Sequence, residues 1–401
     1  MEHCGIYREI PIEDVEIGMI LGDIIDNHGH LQFNGLVTDK NIEKIQQLRQ
    51  SGITTVIISQ DSNKEESVSD GGKPVFDTDR EDAYYMELRK AEEVHIKTIE
   101  AARDVLGSVR LGKRVNTKSI ERVAEEIVES ILRNPDALVS LAQIKGYDEY
   151  TYVHSVNVGI LITSLANSIG YRRDLLLDVG VGGLLHDIGK MRVPEHILNK
   201  NGTYTQEEFS IMKKHPVHGL NILKESKNIS DISKIIIAQH HERFNGKGYP
   251  KGVYGKQIHE AALIAAVADV YDAMTTDRVY RAAWLPQRAL AMIFKGADTE
   301  YSRRIVELFT RHLGIYPVGS FVKLVSGEMG VVVRVDKGQI LAPDILVLFS
   351  KNGLRLTQPV EYNLVKKQKE AHGELYRIES SLNPKSFNID ISKYVHTSAF
   401  E

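Results

Sequence analysis

At 401 residues, with 42% apolar and 26% charged side chains, the chain has the composition of an ordinary folded protein and the length for two or three domains. A formal net charge of -4 and a pI near 6.4 argue against a protein held on a nucleic-acid polymer by phosphate contacts, while leaving room for a small anionic ligand. The single cysteine, Cys4, excludes an internal disulfide framework, and no apolar run has spanning or signal-peptide character, so a soluble cytoplasmic protein is expected.

Residues 1–60 read as a small α/β module. Tyr7 to Ile10 and Met19 to Ile25 alternate as short strands, Asn27-His28-Gly29-His30 makes a turn, and Thr54 to Ser59 is β-branched. Between them a helix from Thr38 or Asp39 carries Ile42, Ile45 and Leu48 on one side and ends at Gly52. His28 and His30 fit a solvated hairpin tip better than a metal site. Residues 61–80 are polar and read as a linker. Residues 81–135 hold connecting helices. The second of these, from about Thr117 to Arg133, has the stripe Ile120, Val123, Ile127 and Ile131 and stops at Asn134-Pro135.

Residues 136–313 are helical almost throughout by pattern. Glu149 to Ile169 sets His154, Val158, Leu161 and Leu165 on one face. An apolar helix from about Leu175 delivers His186 and Asp187 side by side, and Gly189 is placed to end it in a left-handed conformation. Thr205-Gln206-Glu207-Glu208 is a capping box, which predicts the start of the helix carrying His215. Asp231 to Glu242 puts Ile232, Ile236 and His240 on one stripe, with His241 beside them. Glu260 to about Thr275 gives Ala262, Ala265, Ala266 and Asp269 a common face. From Gly314 the texture becomes β. Phe321 to Leu324, Gly330 to Val335 and Ile345 to Phe349 read as strands of a barrel or sandwich over residues 314–366, followed by a polar tail, 367–401.

An ionised carboxylate among leucines is costly unless something positive meets it, and a metal ion accepts imidazole and carboxylate together. Seven of the fifteen histidines fall between His154 and His241, and five of these occupy inward faces or ends of helices: His154, His186, His215, His240 and His241. With Asp187 and Asp269 they supply more donors than one ion needs. Two ions a few ångströms apart suit the set, and such a pair activates water for attack on a phosphate. No cysteine cluster points to a structural zinc site, and mixed His/Asp donors fit Fe, Mn or Zn. His196, His218 and His259 read as surface, solvent-facing and helix-start residues.

Five stretches, taken in order, resemble the HD-GYP domain over roughly residues 140–310: His154-Ser155, His186-Asp187-Ile188-Gly189-Lys190, His215-Pro216, His240-His241-Glu242-Arg243-Phe244-Asn245-Gly246-Lys247-Gly248-Tyr249-Pro250, and Asp269 through Arg281. Residues 1–60 are more loosely similar to the small domain often found ahead of it in bacteria. The patterning and the resemblance together give a multidomain, mainly α protein: a central all-α HD-type helical bundle, a small N-terminal α/β module and a small C-terminal all-β domain. The resemblance implies a bacterial phosphodiesterase that opens cyclic di-GMP to linear pGpG, with further cleavage to GMP left open. The alternatives are another cyclic dinucleotide such as 3',3'-cyclic GMP-AMP, or a signalling adaptor without turnover.

Carried over by position, the metal ligands are His186, Asp187, His215, His240, His241 and Asp269, with Asp187 bridging and His154 as the seventh. The implied cofactors are two divalent ions, Fe or Mn, with Zn as the alternative. Some members add a glutamate four residues before the first histidine and hold three metals; Tyr150 stands there, so two are expected. Asn245 replaces a more usual Asp. Asp187 and Lys190 take the catalytic roles, Lys190 holding a non-bridging phosphate oxygen, while Arg278, Arg281 and Tyr249 contact substrate. The plainer reading of Lys190 is a cation at a helix end, and of Arg278 and Arg281 pairing with Asp272 and Asp277. The Gly248-Tyr249-Pro250 loop implies a diguanylate cyclase partner; neither a membrane nor a nucleic-acid polymer is implied, and a homodimer is allowed.

Overall fold

The computed structural model of the protein describes residues 7–16, 20–25, 31–37, 42–48, 55–59, 78–143, 150–226, 228–277, 283–370 and 372–395. The chain divides into two compact units. One gathers Met1–Phe76, Phe321–Val331 and Asp344–Ile391, and the other Asp77–Ser320, Val332–Pro343 and Ser392–Glu401.

The first unit opens with strands β1 (Tyr7–Pro11), β2 (Ile20–Ile25) and β3 (Leu31–Leu36), helix α1 (Ile42–Gln47) and strand β4 (Thr55–Ser59). The strands lie in the order β1-β4-β2-β3. Ile45 and Leu48 are buried with Ile12, Val15, Leu21 and Val37, and Ile42 packs against them, as the helical stripe predicts. Strand β3 is absent from the sequence reading because Asn34-Gly35 interrupts its pattern; its pairing with β2 overrides that weakness. The turn at Asn27 to His30, the helix limits at Thr38, Asp39 and Gly52, and residues 61–77 lie outside the described residues.

The second unit begins with α2 (Thr78–Arg110), α3 (Thr117–Arg133), α4 (Pro135–Gln143), α5 (Tyr150–Ser168) and α6 (Arg173–Leu185). The short helices α7 (Glu195–Leu198), α8 (Gln206–Met212) and α9 (His215–Ile222) follow. Then come α10 (Asp231–Gln239), α11 (Glu260–Thr275), α12 (Pro286–Lys295) and α13 (Arg303–Leu313). The stripe of α3 is buried as expected; Asn116 accepts the Ser119 N–H at its start, and Asn134 caps its end. Helix α5 is buried continuously from His154 to Ala166, the state of a helix that is apolar on nearly every side. It packs against α6 and α11. A Cβ on Gly183 would lie 2.7 Å from the Gly159 Cα, so those two glycines bring α6 onto α5. A Cβ on Gly182 would lie 3.0 Å from the Ser233 Cα, which brings α10 equally close on another side. The end of α6 is thereby wedged between two neighbours.

His312, on α13, is buried with its Nε2 2.9 Å from the Ser164 hydroxyl on α5. Burial, reinforced by Lys337 and partly opposed by Asp136, lowers its pKa to about 4. The folded state therefore binds fewer protons than the unfolded state between the ordinary value of 6.5 and about 4. The stability this histidine lends is intact above pH 6.5 and is lost as the pH falls toward 4. Over that window the wild type should lose about 3 kcal/mol relative to a His312→Gln variant. Urea unfolding of both proteins at stepped pH measures the difference, and parallel curves would refute it.

Beyond α13 run β5 (Phe321–Leu324), β6 (Met329–Arg334), β7 (Asp344–Phe349), β8 (Arg355–Asn363), α14 (Leu364–Lys367), β9 (Ile378–Leu382) and α15 (Ser392–Val395). The strands form one sheet ordered β8-β7-β6-β5-β9, not the two sheets of a sandwich. The polar tail contributes a strand, β9, which pairs antiparallel with β5 at the edge of the sheet. An edge strand that is only half buried needs little apolar alternation, which is why Ile378-Glu379-Ser380-Ser381-Leu382 reads weakly.

Candidate metal centre

The seven candidate ligands converge. His154 comes from α5, His186 caps the end of α6, and Asp187 follows it before a 3-10 turn, Ile188–Arg192. His215 opens α9, His240 caps α10 with His241 next to it, and Asp269 lies on α11. Two sets of donor atoms form within 4.8 Å of one another: Asp187, His215, His240 and His241, and then His154, His186 and Asp269. Asp187 faces both. Its Oδ1 lies 3.3 Å from His215 Nε2 and 3.7 Å from His240 Nε2. Its Oδ2 lies 3.3 Å from His186 Nε2 and 3.8 Å from His154 Nε2. Asp269 spans them from the other side, 3.1 Å from His154 Nε2 and 3.8 Å from His241 Nδ1.

Three of the imidazoles are fixed in one tautomer by backbone carbonyls at helix ends. His186 Nδ1 donates to the Gly183 carbonyl at 2.7 Å, and His215 Nδ1 to the Met212 carbonyl at 2.8 Å. His240 Nδ1 meets the Ile236 and Ile237 carbonyls at 3.2 and 3.1 Å. A carbonyl only accepts, so each Nδ1 carries the proton and each Nε2 turns a lone pair inward, the arrangement of metal-bound histidine. The His215 and His240 Nε2 atoms then stand 3.2 Å apart, two acceptors facing one another with nothing of the protein to reconcile them. His186 Nε2 and Asp187 Oδ1 are buried without a hydrogen-bond partner. These orphaned atoms and the all N/O donor set fit divalent cations.

Protonation follows the same division. Burial lowers His215 to about 3, helped by Lys190 and His240 and opposed by Asp187. Burial also lowers His240 and His241, the neighbouring imidazole adding to the effect on His241. For His154 burial works downward, but the Asp269 and Asp272 carboxylates outweigh it and raise its pKa to about 9. Both Asp187 and Asp269 are held well below the usual carboxylate range despite burial, Asp187 chiefly by Lys190 and His186 and Asp269 by His154.

Two residues that the sequence reading did not assign to the centre orient this set. Asp272 is fully buried one turn after Asp269; its Oδ2 accepts from His154 Nδ1 at 2.7 Å, and its Oδ1 from Asn157 Nδ2 at 3.1 Å. The clue was spacing: His154/Asn157 on α5 and Asp269/Asp272 on α11 are both i,i+3 pairs, which share a helix face. Asp272 therefore serves His154, where the sequence had offered it as a partner for Arg278 or Arg281. Those two arginines lie outside the described residues. Lys190, on the 3-10 turn, places its ammonium 2.5 Å from Asp187 Oδ2. Tyr249 packs on His241 with ring centroids 4.6 Å apart, and its N–H donates to the His241 carbonyl at 3.1 Å. Burial and the carboxylates of Asp269 and Asp187 keep its phenol neutral by raising its pKa.

Two local expectations are corrected. The capping box at Thr205 and Glu208 is present, but it starts α8; His215 opens a separate helix after a break at Lys213-Lys214, with Pro216 in its first turn. Gly189 is not a left-handed terminus, for it lies in the 3-10 turn and is not among the positive-φ glycines. It is glycine because a Cβ there would fall 1.8 Å from the His215 carbonyl oxygen and 2.5 Å from the Gly219 nitrogen. Gly189→Ala should therefore push α9 and its ligand outward. The expected result is a loss of about 2–4 kcal/mol of stability together with metal bound more weakly. Thermal unfolding with metal analysis reads both, and a variant with wild-type metal content would contradict the role given to this contact.

Two family models match the sequence, one described as HD domain over residues 126–305 and one described as a domain of unknown function, DUF3391, over residues 7–120. A cyclic di-GMP phosphodiesterase of Pseudomonas aeruginosa is 34% identical over 357 residues, 86% of this chain and 86% of its own. A 3'3'-cGAMP-specific phosphodiesterase of Vibrio cholerae is 32% identical over 163 residues, 40% of this chain and 31% of its own. A solved HDG"Y"P protein of Bdellovibrio bacteriovorus aligns with 76% of this chain and 98% of its own, at 19% identity and a TM-score of 0.47.

Proposed function

The chain belongs to the HD-GYP family of HD-domain proteins, and from that premise we propose that it is a metal-dependent phosphodiesterase hydrolysing cyclic di-GMP to linear pGpG. The observation that carries the reading is the pair of donor sets joined through Asp187. One divalent ion would be held by His215, His240, His241 and Asp187, and a second by His154, His186, Asp269 and the other oxygen of Asp187. Fe or Mn suits these donors, with Zn as the alternative. When bound, such a pair supplies Lewis acidity and water of lowered pKa.

The protein's own part is to hold and to charge the site. The backbone carbonyls and Asp272 aim the imidazoles. Lys190 offers a cation for a non-bridging phosphate oxygen and the charge that gathers on it. Tyr249 walls one side of the centre as a neutral ring. The departing 3′-oxygen takes its proton from a water or from a side chain behind the ligands. Among the described residues no helix is long and apolar enough to cross a membrane.

Turnover tests this reading. Protein purified anaerobically, stripped with chelator and reloaded with Fe²⁺ or Mn²⁺, is given cyclic di-GMP and 3',3'-cyclic GMP-AMP in parallel. Formation of pGpG that disappears on chelation and returns on reloading is expected. Faster hydrolysis of the hybrid nucleotide would favour the second substrate, which the similarity to the Vibrio enzyme keeps in view. No hydrolysis of either by a protein carrying two ions per chain would refute the proposal.

A further inference from the structure

Helix α8 carries an aromatic side chain that none of the roles above uses. Phe209 is 44% exposed, whereas Met212, on the same helix, is buried with Val193 and Ile197 and anchors it. Phe209 stands edge-on to Tyr249, with centroids 6.4 Å apart and planes at 83°. Tyr249 in turn lies 4.6 Å from the His241 ring and 6.2 Å from that of His215. An uninterrupted row of rings thus runs from two candidate metal ligands outward to solvent. Lys213, the residue that caps the end of this helix, holds its ammonium 5.0 Å from the Phe209 centroid. Among the described residues that ammonium meets no carboxylate.

We propose that Tyr249, Phe209 and Lys213 form a subsite that receives one purine base of the cyclic dinucleotide. The proposal rests on the phosphodiesterase reading of the adjacent centre and adds to it where the base goes. A phosphodiester held at the centre carries its bases one sugar away, and this row of rings starts at the ligands themselves. Exposed aromatic rings bind bases through stacking that any purine satisfies. Lys213 adds selectivity. Guanine presents two acceptors, N7 and O6, on one edge, where adenine pairs an acceptor with an amino donor, so an ammonium at this position favours guanine.

The test separates base binding from turnover. Phe209→Ala should raise KM for cyclic di-GMP, and Kd measured by calorimetry on chelator-stripped protein, about tenfold or more. kcat at saturation should fall far less, and metal content should match the wild type. Phe209→Trp should restore both constants and Phe209→Leu should not, because stacking and not apolar bulk is required. Lys213→Met should reduce the preference for cyclic di-GMP over cyclic di-AMP about fivefold. If Phe209→Ala fails to fold, Phe209→Leu against Phe209→Trp makes the same comparison. A wild type that hydrolyses cyclic di-GMP while Phe209→Ala keeps its KM overturns the subsite alone, as does a variant that loses kcat together with metal. A wild type that neither binds nor hydrolyses any cyclic dinucleotide overturns the subsite and the phosphodiesterase reading together.

Discussion

Asp187→Ala should reduce hydrolysis of cyclic di-GMP by at least about a thousandfold and leave the protein with almost no bound metal. Each oxygen of this carboxylate faces a different donor set, so its removal takes a ligand from both proposed ions at once. The imidazoles left behind at His215, His240 and His241 are neutral, and Lys190 is 24% exposed, so no fully buried unpaired charge is created around them. The helices should accordingly remain, since their packing depends on Gly159, Gly182 and Gly183 and on the apolar surface of α5. Elemental analysis, steady-state rates and far-UV ellipticity measured on one preparation decide the matter. A variant that hydrolyses at the wild-type rate would show that the centre is wrongly assigned. His186→Ala belongs to the same experiment and should also be inactive.

The second large effect is expected one step away from the metals. Asp272→Asn keeps the shape of the side chain but replaces two acceptors by one acceptor and one donor. Asp272 now receives hydrogens from both His154 Nδ1 and Asn157 Nδ2, so one of these must meet an amide NH₂ in the variant. His154 loses its orientation, and the ion shared with His186 and Asp269 should bind about 10–100-fold more weakly. The other donor set does not include His154. Metal content should therefore fall from the proposed two ions per chain toward one, with activity falling alongside. Equal loss of both ions, or of neither, would refute the division into two half-sites.

What the sequence made legible was the inventory, and what it hid was the orientation. His154, Asp187 and Asp269 stand out because polar groups on apolar helix faces violate the local pattern, and α3 ends at Asn134-Pro135, where the sequence places its stop. The separate helix at His215 was hidden because Lys213-Lys214 suits a helix as well as a break; Pro216 was the signal that a new one begins. Gly189 was misread because a glycine after a helix usually answers a backbone need, and here it answers a steric one from a residue 26 positions away. The i,i+3 spacing of Asn157 and Asp272 from their ligands hints at a shared face, but their pairing follows only once α5 faces α11. The edge strand β9 depends on β5 and says little alone.

The bonds from His186, His215 and His240 to carbonyls at the ends of α6, α8 and α10 have a consequence for how stability data should be interpreted. Carbonyls in the last turn of a helix have no acceptor-satisfying N–H within the helix itself, and these rings supply one. An alanine at any of the three positions therefore strips a helix terminus as well as a ligand. Melting temperatures of such variants should fall below that of the chelated wild type, and the gap between the two measures the capping imidazole, with the ion's own contribution already removed.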